Sequence, residues 1–272
     1  MYIGYLGPVG TFTHQAARIF FPDGELLPIK DIDGVFEGIA EGQCCVGVVP
    51  IENSTEGPVN ATLDSLLRHE GIGITNLLIL PIVHAILARD SENSGNFEKI
   101  LAHPQALAQC RGYTRQRYPD AELVECASNG LAASAVSQSD ENWAAIGPVA
   151  AAREYGLAVL EEGVQDSSLN STAFIQIEKT EFRQPRQGLR TSIAFSTENK
   201  PGTLFRMLGI LENYGINMTK ILSRPMPGRP GEYIFFVDIE GYREDEAENA
   251  LTQMQEKATL YKCLGSYPVR RV

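Results

Sequence analysis

The chain has 272 residues, 43% hydrophobic and 21% charged, which is enough to bury a sizeable core in one large domain or in two to three smaller ones. A formal net charge of −11 disfavours a nucleic-acid partner, and an anionic ligand would need local donors such as helix starts or a placed cation. No apolar stretch approaches membrane-spanning length and no leader pattern is expected. The five cysteines (Cys44, Cys45, Cys110, Cys126, Cys263) and the scattered His14, His69, His84 and His103 lack metal-ligand spacing, so a cytoplasmic protein without a metal or membrane partner is expected.

A strand from Tyr2 to Leu6 leads into Gly7-Pro8-Val9-Gly10-Thr11-Phe12-Thr13 and a helical run from His14 to Phe21. Glycines here allow close backbone approach, and free amides at a helix start favour a carboxylate or phosphate. Plain turn chemistry is the competing reading, and the lysine of a P-loop is missing. Asp33 reads as the cap of a short helix carrying Val35, Phe36 and Ile39 and ended by Gly42. Val46 to Val49 reads as a buried strand that changes abruptly into Pro50-Ile51-Glu52-Asn53-Ser54-Thr55-Glu56-Gly57. Open α/β sheets build ligand sites where apolar strands end in such groups, although the same composition suits a surface turn. Asn53-Ser54-Thr55 also matches a glycosylation acceptor, which matters only in a secreted protein.

Leu63, Leu66 and Leu67 mark one face of a further helix. The apolar runs Leu77–Pro81 and Val83–Ala88 either cross into a second lobe or add two strands to the same sheet. Lys99 to Ala102 is strand-like, and His103-Pro104-Gln105-Ala106-Leu107 opens a helix with Pro104 in its first turn, leaving Arg111, Arg115 and Arg117 on a solvated face. Leu123–Cys126 and Trp143–Ile146 read as strands, Ser128-Asn129-Gly130 as the start of a helix over 131–136, and Val149–Tyr155 as another helix. Strand and helix alternate at roughly 25-residue intervals, which predicts a parallel α/β architecture. A polar loop, Asp166 to Thr172, precedes a strand over 173–177, and 181–190 reads as a linker. The remainder, 191–272, has the order βαββαβ of ferredoxin-like sheets: strands at 191–196, 216–223, 233–239 and 259–264, a helix bearing Leu204, Leu208 and Leu211, and a second helix at 244–257. Domains of this size commonly dimerise to cover a sheet edge.

Four motifs in order, followed by the C-terminal module, carry a resemblance: Gly7-Pro8 with Gly10-Thr11-Phe12; Pro50-Ile51-Glu52-Asn53-Ser54 with Gly57; His103-Pro104-Gln105-Ala106-Leu107 with Gln109-Cys110; and Asn170, Thr172 and Phe174. Together they resemble prephenate dehydratase with an ACT regulatory domain. The resemblance implies a two-lobed catalytic region over 1–180, similar to periplasmic binding proteins, with lobes of about 1–77 plus 172–180 and 78–171. It implies decarboxylating dehydration of prephenate to phenylpyruvate without a cofactor, in a homodimer or homotetramer. Thr172 is then the residue nearest the chemistry, with Glu52, Asn53, Ser54, Gln105 and Ser128 orienting substrate, and Gly10, Thr11, Phe12, Asn170 and Phe174 binding it. Pro201, Gly202, Thr203, Leu204, Ser223, Arg224 and Pro225 match two ACT signatures that imply L-phenylalanine as effector.

Four departures stand out. Ala173 replaces the family's arginine after the threonine, Asn129 its threonine, Thr203 its alanine, and Leu222 its glutamate. Loss of a guanidinium that clamps a carboxylate leaves arogenate dehydration, non-aromatising decarboxylation and a non-catalytic amino-acid sensor as alternatives. Helix-start amides at Gly10-Thr11-Phe12, Arg89 or Arg153 could compensate.

Overall fold

The computed structural model describes residues 2–90, 96–180, 189–226, 228–240 and 244–272. Most of the expected linker, 181–188, and Pro227 of the turn at 225–231 lie outside the described residues. The chain opens with β1 (Tyr2–Leu6), α1 (Phe12–Phe20), β2 (Leu26–Ile29), α2 (Ile32–Ala40), β3 (Cys44–Asn53) and the short β4 (Gly57–Pro58). β1 lies between β2 and β3, parallel to both, as apolar strands covered on two faces require.

Local chemistry sets the ends of these elements. α1 begins two residues before the expected His14, because the Thr11 hydroxyl accepts the His14 N–H at 3.2 Å and caps it. The cap of α2 is Asp31, not Asp33. Asp31 accepts the Gly34 N–H at 2.8 Å, and Asp33 sits in the first turn, where its charge complements the helix dipole. β3 also runs further than the apolar residues 46–49, through Asn53, because β4 folds back on it with Asn53 opposite Gly57.

α3 (Asn60–Arg68) and β5 (Ile72–Pro81) follow. Leu63 and Leu66 are buried, whereas Leu67 is only half-buried. The chain then enters a second sheet, made of β6 (Ala85–Ala88), β7 (Lys99–Ala102), β8 (Glu122–Glu125), β9 (Trp143–Gly147) and β10 (Ala158–Glu162) in the order β10-β6-β9-β7-β8. Its helices are α4 (Pro104–Gln109), α5 (Arg111–Arg117), α6 (Asn129–Gln138) and α7 (Val149–Tyr155). This sheet is mixed rather than parallel. β7 runs parallel to β8 and β9, but β6 is antiparallel to β9 and β10. β10, unanticipated in sequence, is an edge strand ending in two glutamates. Alternation sends Ile86, Ile100 and Ile146 to a core with Leu107 and Cys110, and Leu87, Leu101 and Ala145 to a core with Ala132, Val136 and Ala151.

The chain closes with β11 (Ser171–Lys179), β12 (Arg190–Ser196), α8 (Thr203–Asn213), β13 (Asn217–Pro225), β14 (Tyr233–Glu240), α9 (Glu244–Lys257), β15 (Leu260–Tyr267) and β16 (Val269–Arg271). β12 to β15 form the expected βαββαβ module, with neighbours antiparallel in the order β13-β14-β12-β15. Ile193, Phe195, Val237 and Ile239 share one face and pack on α8 and α9. The buried stripe of α8 is Met207, Ile210 and Leu211, while the expected Leu208 is half-buried.

Contacts divide the chain into two units. One comprises residues up to Asn60, Ile79–Phe174 and Val272; the other comprises Ala61–Leu78 and Ile175–Arg271. α3 and most of β5 therefore group with the C-terminal elements. Lys262 Nζ donates to the carbonyls of Leu67 and His69 at 3.4 and 2.8 Å, which ties α3 to β15. No helix among the described residues is long and apolar enough to cross a membrane.

In the first unit the loop between β1 and α1 is wedged against α6 and α7. Tyr155 donates its hydroxyl to the Val9 carbonyl at 3.1 Å, and a Cβ on Gly130 would lie 2.2 Å from that same oxygen. We therefore expect Gly130→Ala to cost about 1–3 kcal/mol of stability, the usual scale for overpacking. Denaturant unfolding checks this, since an unchanged midpoint would show that the loop can retreat from α6 freely.

Candidate active site

A cavity of about 910 Å³ opens within the first unit and takes side chains from both of its sheets. Thr11 and Phe12 contribute from the start of α1, Lys30 from the end of β2, Asn53 from the end of β3, and Glu56 from the turn after it. The second sheet contributes His84, His103, Gln105, Gln109, Ser128 and Asn129, while Asn170, Thr172 and Phe174 arrive around the start of β11. Eight of the eleven catalytic and substrate-binding residues expected from sequence thus meet around one cavity: Thr11, Phe12, Asn53, Gln105, Ser128, Asn170, Thr172 and Phe174.

The other three do not line it. Glu52 lies in β3 opposite Pro58. Ser54 braces the site from outside the lining, donating to Asn170 Oδ1 at 3.3 Å and accepting the Ser171 N–H at 2.9 Å. Gly10 takes a positive φ of 78°, and its N–H donates to His14 Nδ1 at 3.3 Å, so its part is to shape the loop. Ala173 is also absent from the lining.

Hydrogen-bond polarity at the centre of the site can be followed atom by atom. Asn53 Oδ1 accepts the backbone N–H groups of Thr55 and Glu56 at 2.9 and 3.1 Å, which fixes the amide's orientation because backbone N–H can only donate. Asn53 Nδ2 therefore points at Thr172 Oγ1, 2.8 Å away, and at Asn170 Oδ1, 2.9 Å away. Both Asn53 and Thr172 are more than nine-tenths buried. Thr172 Oγ1 is an acceptor in this bond, which leaves its own O–H proton available to the cavity.

Two histidines that sequence analysis left without a role also face this cavity. His103 caps α4, its Nδ1 accepting the Gln105 N–H at 3.3 Å, so its proton sits on Nε2. Asn129 Oδ1 holds the His103 N–H at 2.9 Å. His84 is 2% exposed, lies edge-on to Phe12, and bonds through Nε2 to Gln109 Oε1 at 3.0 Å. The sequence signal for His84 was one imidazole inside the apolar run 83–88. Lys30 gave no signal, because the strand that delivers it was not anticipated. Among the described lining residues, Lys30 and Glu56 carry the full charges. Of the cations considered from sequence, Arg89 pairs with Asp140 at 2.5 Å and Arg153 is exposed outside the lining.

The family model for prephenate dehydratase matches residues 3–182, and that for the ACT domain matches residues 191–250. The chain belongs to the prephenate dehydratase family. It is 39% identical to a bifunctional chorismate mutase/prephenate dehydratase of Aquifex aeolicus, over 98% of this chain and 73% of that protein. It is 36% identical to a prephenate dehydratase of Methanocaldococcus jannaschii, over 97% of both chains. Among solved structures, prephenate dehydratase of Arthrobacter aurescens in complex with L-Phe superposes with a TM-score of 0.87 at 30% identity, covering 98% of this chain and 90% of that one. A protein described as GqqA, a novel type of quorum quenching acylase, also reaches 0.87, at 25% identity over 99% and 98% of the two chains. The fold alone therefore does not decide the reaction.

In this member of the prephenate dehydratase family the two ACT signatures lie at one end of the C-terminal sheet. Gly202, with φ of 78°, caps α8; Thr203 donates to the Glu198 and Lys200 carbonyls at 2.8 and 2.9 Å; and Leu204 packs on the module's core. Asn199 donates to the Gly231 carbonyl at 2.9 Å, while Ser223, Arg224 and Pro225 pair with Phe235, Ile234 and Tyr233 just beyond it. Pro201 starts the turn into α8 and is exposed. Arg224 is not a solvated strand-end charge. Its guanidinium grips Asp64 of α3 with two bonds, 2.6 and 3.2 Å.

Burial pushes the His84 and His14 rings below the ordinary imidazole value of 6.5. For His84 the hydrogen bond to Gln109 Oε1 opposes the shift only in part, and for His14 the nearby Glu154 charge does so. The folded state thus holds both rings neutral, while the unfolded chain binds their protons near 6.5. The stability they contribute is complete above that value and is lost as the pH falls towards the depressed folded values. Denaturant unfolding from about pH 7 down to about pH 5 should show falling stability, with a shallower fall in His14→Asn. An equally steep profile in that variant would contradict a neutral buried His14.

Proposed function

We propose that this chain is a carbon–oxygen lyase converting prephenate to phenylpyruvate, a cytoplasmic homo-oligomer with L-phenylalanine as feedback effector. The observation carrying this reading is the Thr172 hydroxyl, which accepts from Asn53 and so keeps its proton for the cavity. In the reaction the carbon–carboxylate bond breaks, its electron pair enters the ring, and the ring expels hydroxide as the aromatic sextet forms. The departing hydroxide takes a proton and leaves as water; the carboxylate leaves as carbon dioxide. Aromatisation drives the change, so the protein has to position the dianion and donate to the departing oxygen. The Asn53 N–H polarises the Thr172 O–H and would stabilise negative charge on Oγ1 while the proton is in transit.

Lys30 supplies the cation for one carboxylate that Ala173 cannot. The N-termini of α1 and α6, which enter the lining at Thr11–Thr13 and Ser128–Asn129, favour the other. Phe12, Phe174, Ile82 and Leu131 give the ring an apolar wall. We take 1–180 as the catalytic domain, with lobes 1–77 plus 172–180 and 78–171; 181–190 as linker; and 191–272 as the regulatory domain. The family matches at 3–182 and 191–250 support the split into catalytic and regulatory domains. A second reading, arogenate as substrate, is favoured by Glu56, a lining carboxylate able to pair with an ammonium where prephenate has a keto oxygen.

Incubation with prephenate and with arogenate in the presence of a chelator tests both readings. Phenylpyruvate should form from prephenate, and Thr172→Ala should lower kcat by at least ~100-fold. Lys30→Met should raise KM several-fold to about tenfold with a smaller effect on kcat, as expected for an exposed charge contact. Near-normal turnover in Thr172→Ala would remove that residue from the chemistry, and turnover of arogenate alone would move the assignment to the second reading.

For regulation, L-phenylalanine should bind and inhibit, and Arg224→Ala should raise the concentration for half-inhibition about tenfold or more. Calorimetry and inhibition assays decide. Absence of both heat and inhibition at millimolar phenylalanine would rule this effector out.

A further inference from the structure

The loop between β1 and α1 has two sides with different neighbours. Gly7, Pro8, Thr11 and Phe12 line the cavity, whereas Val9 and Gly10 are absent from the lining and turn towards α6 and α7. A Cβ on Gly10, whose φ is 78°, would lie 2.8 Å from the Tyr155 ring and 3.2 Å from Ala151 Cβ. The same tyrosine donates to the Val9 carbonyl, so α7 closes one side of the loop. The other side is closed from α1 by His14, 3% exposed, whose Nδ1 accepts the Gly10 N–H at 3.3 Å. A backbone N–H can only donate, so the ring is neutral there, with its proton on Nε2. His14 stands at the third helical position, where a capping box ordinarily places a glutamate or glutamine that reaches back to the cap. Here the imidazole reaches one residue further, while the Thr11 hydroxyl accepts the His14 N–H and donates to the Pro8 carbonyl at 2.9 Å. Pro8, Val9, Gly10 and Thr11 thus each have a fixed partner.

We infer that His14 is a positioning residue for substrate binding: as an acceptor it holds Gly10, and through Gly10 the cavity-lining Thr11 and Phe12, in the shape that receives an anionic substrate. A protonated ring would turn a donor towards the Gly10 N–H, and two donors cannot share that contact. It would also put a cation in the first turn of α1, against the helix dipole. Tyr5 of β1 lies against the ring with centroids 5.3 Å apart, and Tyr155 of α7 lies beyond Gly10. Burial pushes both phenols above their ordinary range, so they stay neutral. Burial also disfavours the imidazolium of His14; Glu154 of α7 favours it, and Arg18, one turn along α1, opposes it. Burial prevails, and protonation sets in only below the ordinary value of 6.5. Thr172 is held by Asn53 and not by this loop, so a displaced loop should appear in KM before kcat. The effect on KM rests on prephenate as the substrate, whereas the state of the ring can be followed without turnover.

Two substitutions separate the acceptor from the ring. His14→Phe keeps a ring against Tyr5 and removes the acceptor. It should raise KM for prephenate about fivefold or more across the pH range, with kcat within a few-fold. His14→Asn puts an oxygen where Nδ1 stands and cannot take a proton. At about pH 8 it should match the wild-type KM within a few-fold, and it should lack the rise in KM that the wild type shows on acidification to about pH 5.5. His84 and His103, also in the lining, are common to both proteins, so the ratio of the two profiles isolates His14. In parallel, imidazole nitrogen NMR of the wild type should show a bare Nδ1 and a protonated Nε2 on His14. The Gly10 amide signal should move with the same midpoint as that ring.

An unchanged KM in His14→Phe overturns the proposal, as does a His14→Asn protein as impaired at neutral pH as His14→Phe. Parallel KM profiles in the wild type and His14→Asn overturn it too. A loss of kcat with KM preserved would set His14 apart from binding and overturns it equally. Should His14→Phe fail to fold, the comparison of the wild type with His14→Asn decides. If the wild type leaves prephenate unchanged, the functional reading fails. The Gly10 signal then still decides whether His14 holds the loop, and indifference to the ring's titration counts against it.

Discussion

The site depends on the direction in which one side-chain amide points. Asn53 sits where β3 ends and β4 turns back, and Gly57, at φ of 84°, allows the tight return. That turn aims the N–H groups of Thr55 and Glu56 at Asn53 Oδ1, an Asx-type arrangement that leaves Nδ2 only one way to face. The donor and acceptor roles of Thr172, Asn170, Gln109 and His84 all follow from it. Mispaired buried amides are costly, and for Asn53 and Asn170 the alternative orientation is opposed by more than one contact each.

The rest of the first unit supplies what the amides need around them. Two sheets, each with helices, bring strand ends and helix starts to a common cavity, and the loop at Gly7–Thr11 fits against α6 because Gly130 has no Cβ. The chain's net charge of −11 works against a dianionic ligand at long range. In the proposed reading the groups that oppose it at short range are Lys30, the helix N-termini and the Thr172 proton.

In the second unit α3 is held to the regulatory module at two points. Arg224 grips Asp64 in its middle, and Lys262 satisfies carbonyls at its C-terminal end, where a cation also complements the helix dipole. α3 begins at Asn60, immediately after Gly57, Pro58 and Val59 of the cavity lining.

Much of this was legible in the sequence because it is written in local pattern. Strand and helix periodicity gave the α/β class and the βαββαβ module. Pro104 and Ser128 marked helix starts, and the polar residues at the end of β3 and before β11 marked the cavity by their position beside apolar strands. Motif order carried the family. Sequence could not separate Glu52 and Ser54 from Asn53, since neighbouring residues at a strand end differ only in the direction the backbone gives them. It also missed Lys30, delivered by a four-residue strand too short and proline-broken to show a period, and Asp64, whose partner lies 160 residues away. Which way each amide points was beyond sequence altogether. Asparagine and glutamine carry donor and acceptor alike, and only the partners assembled by the tertiary structure choose between them.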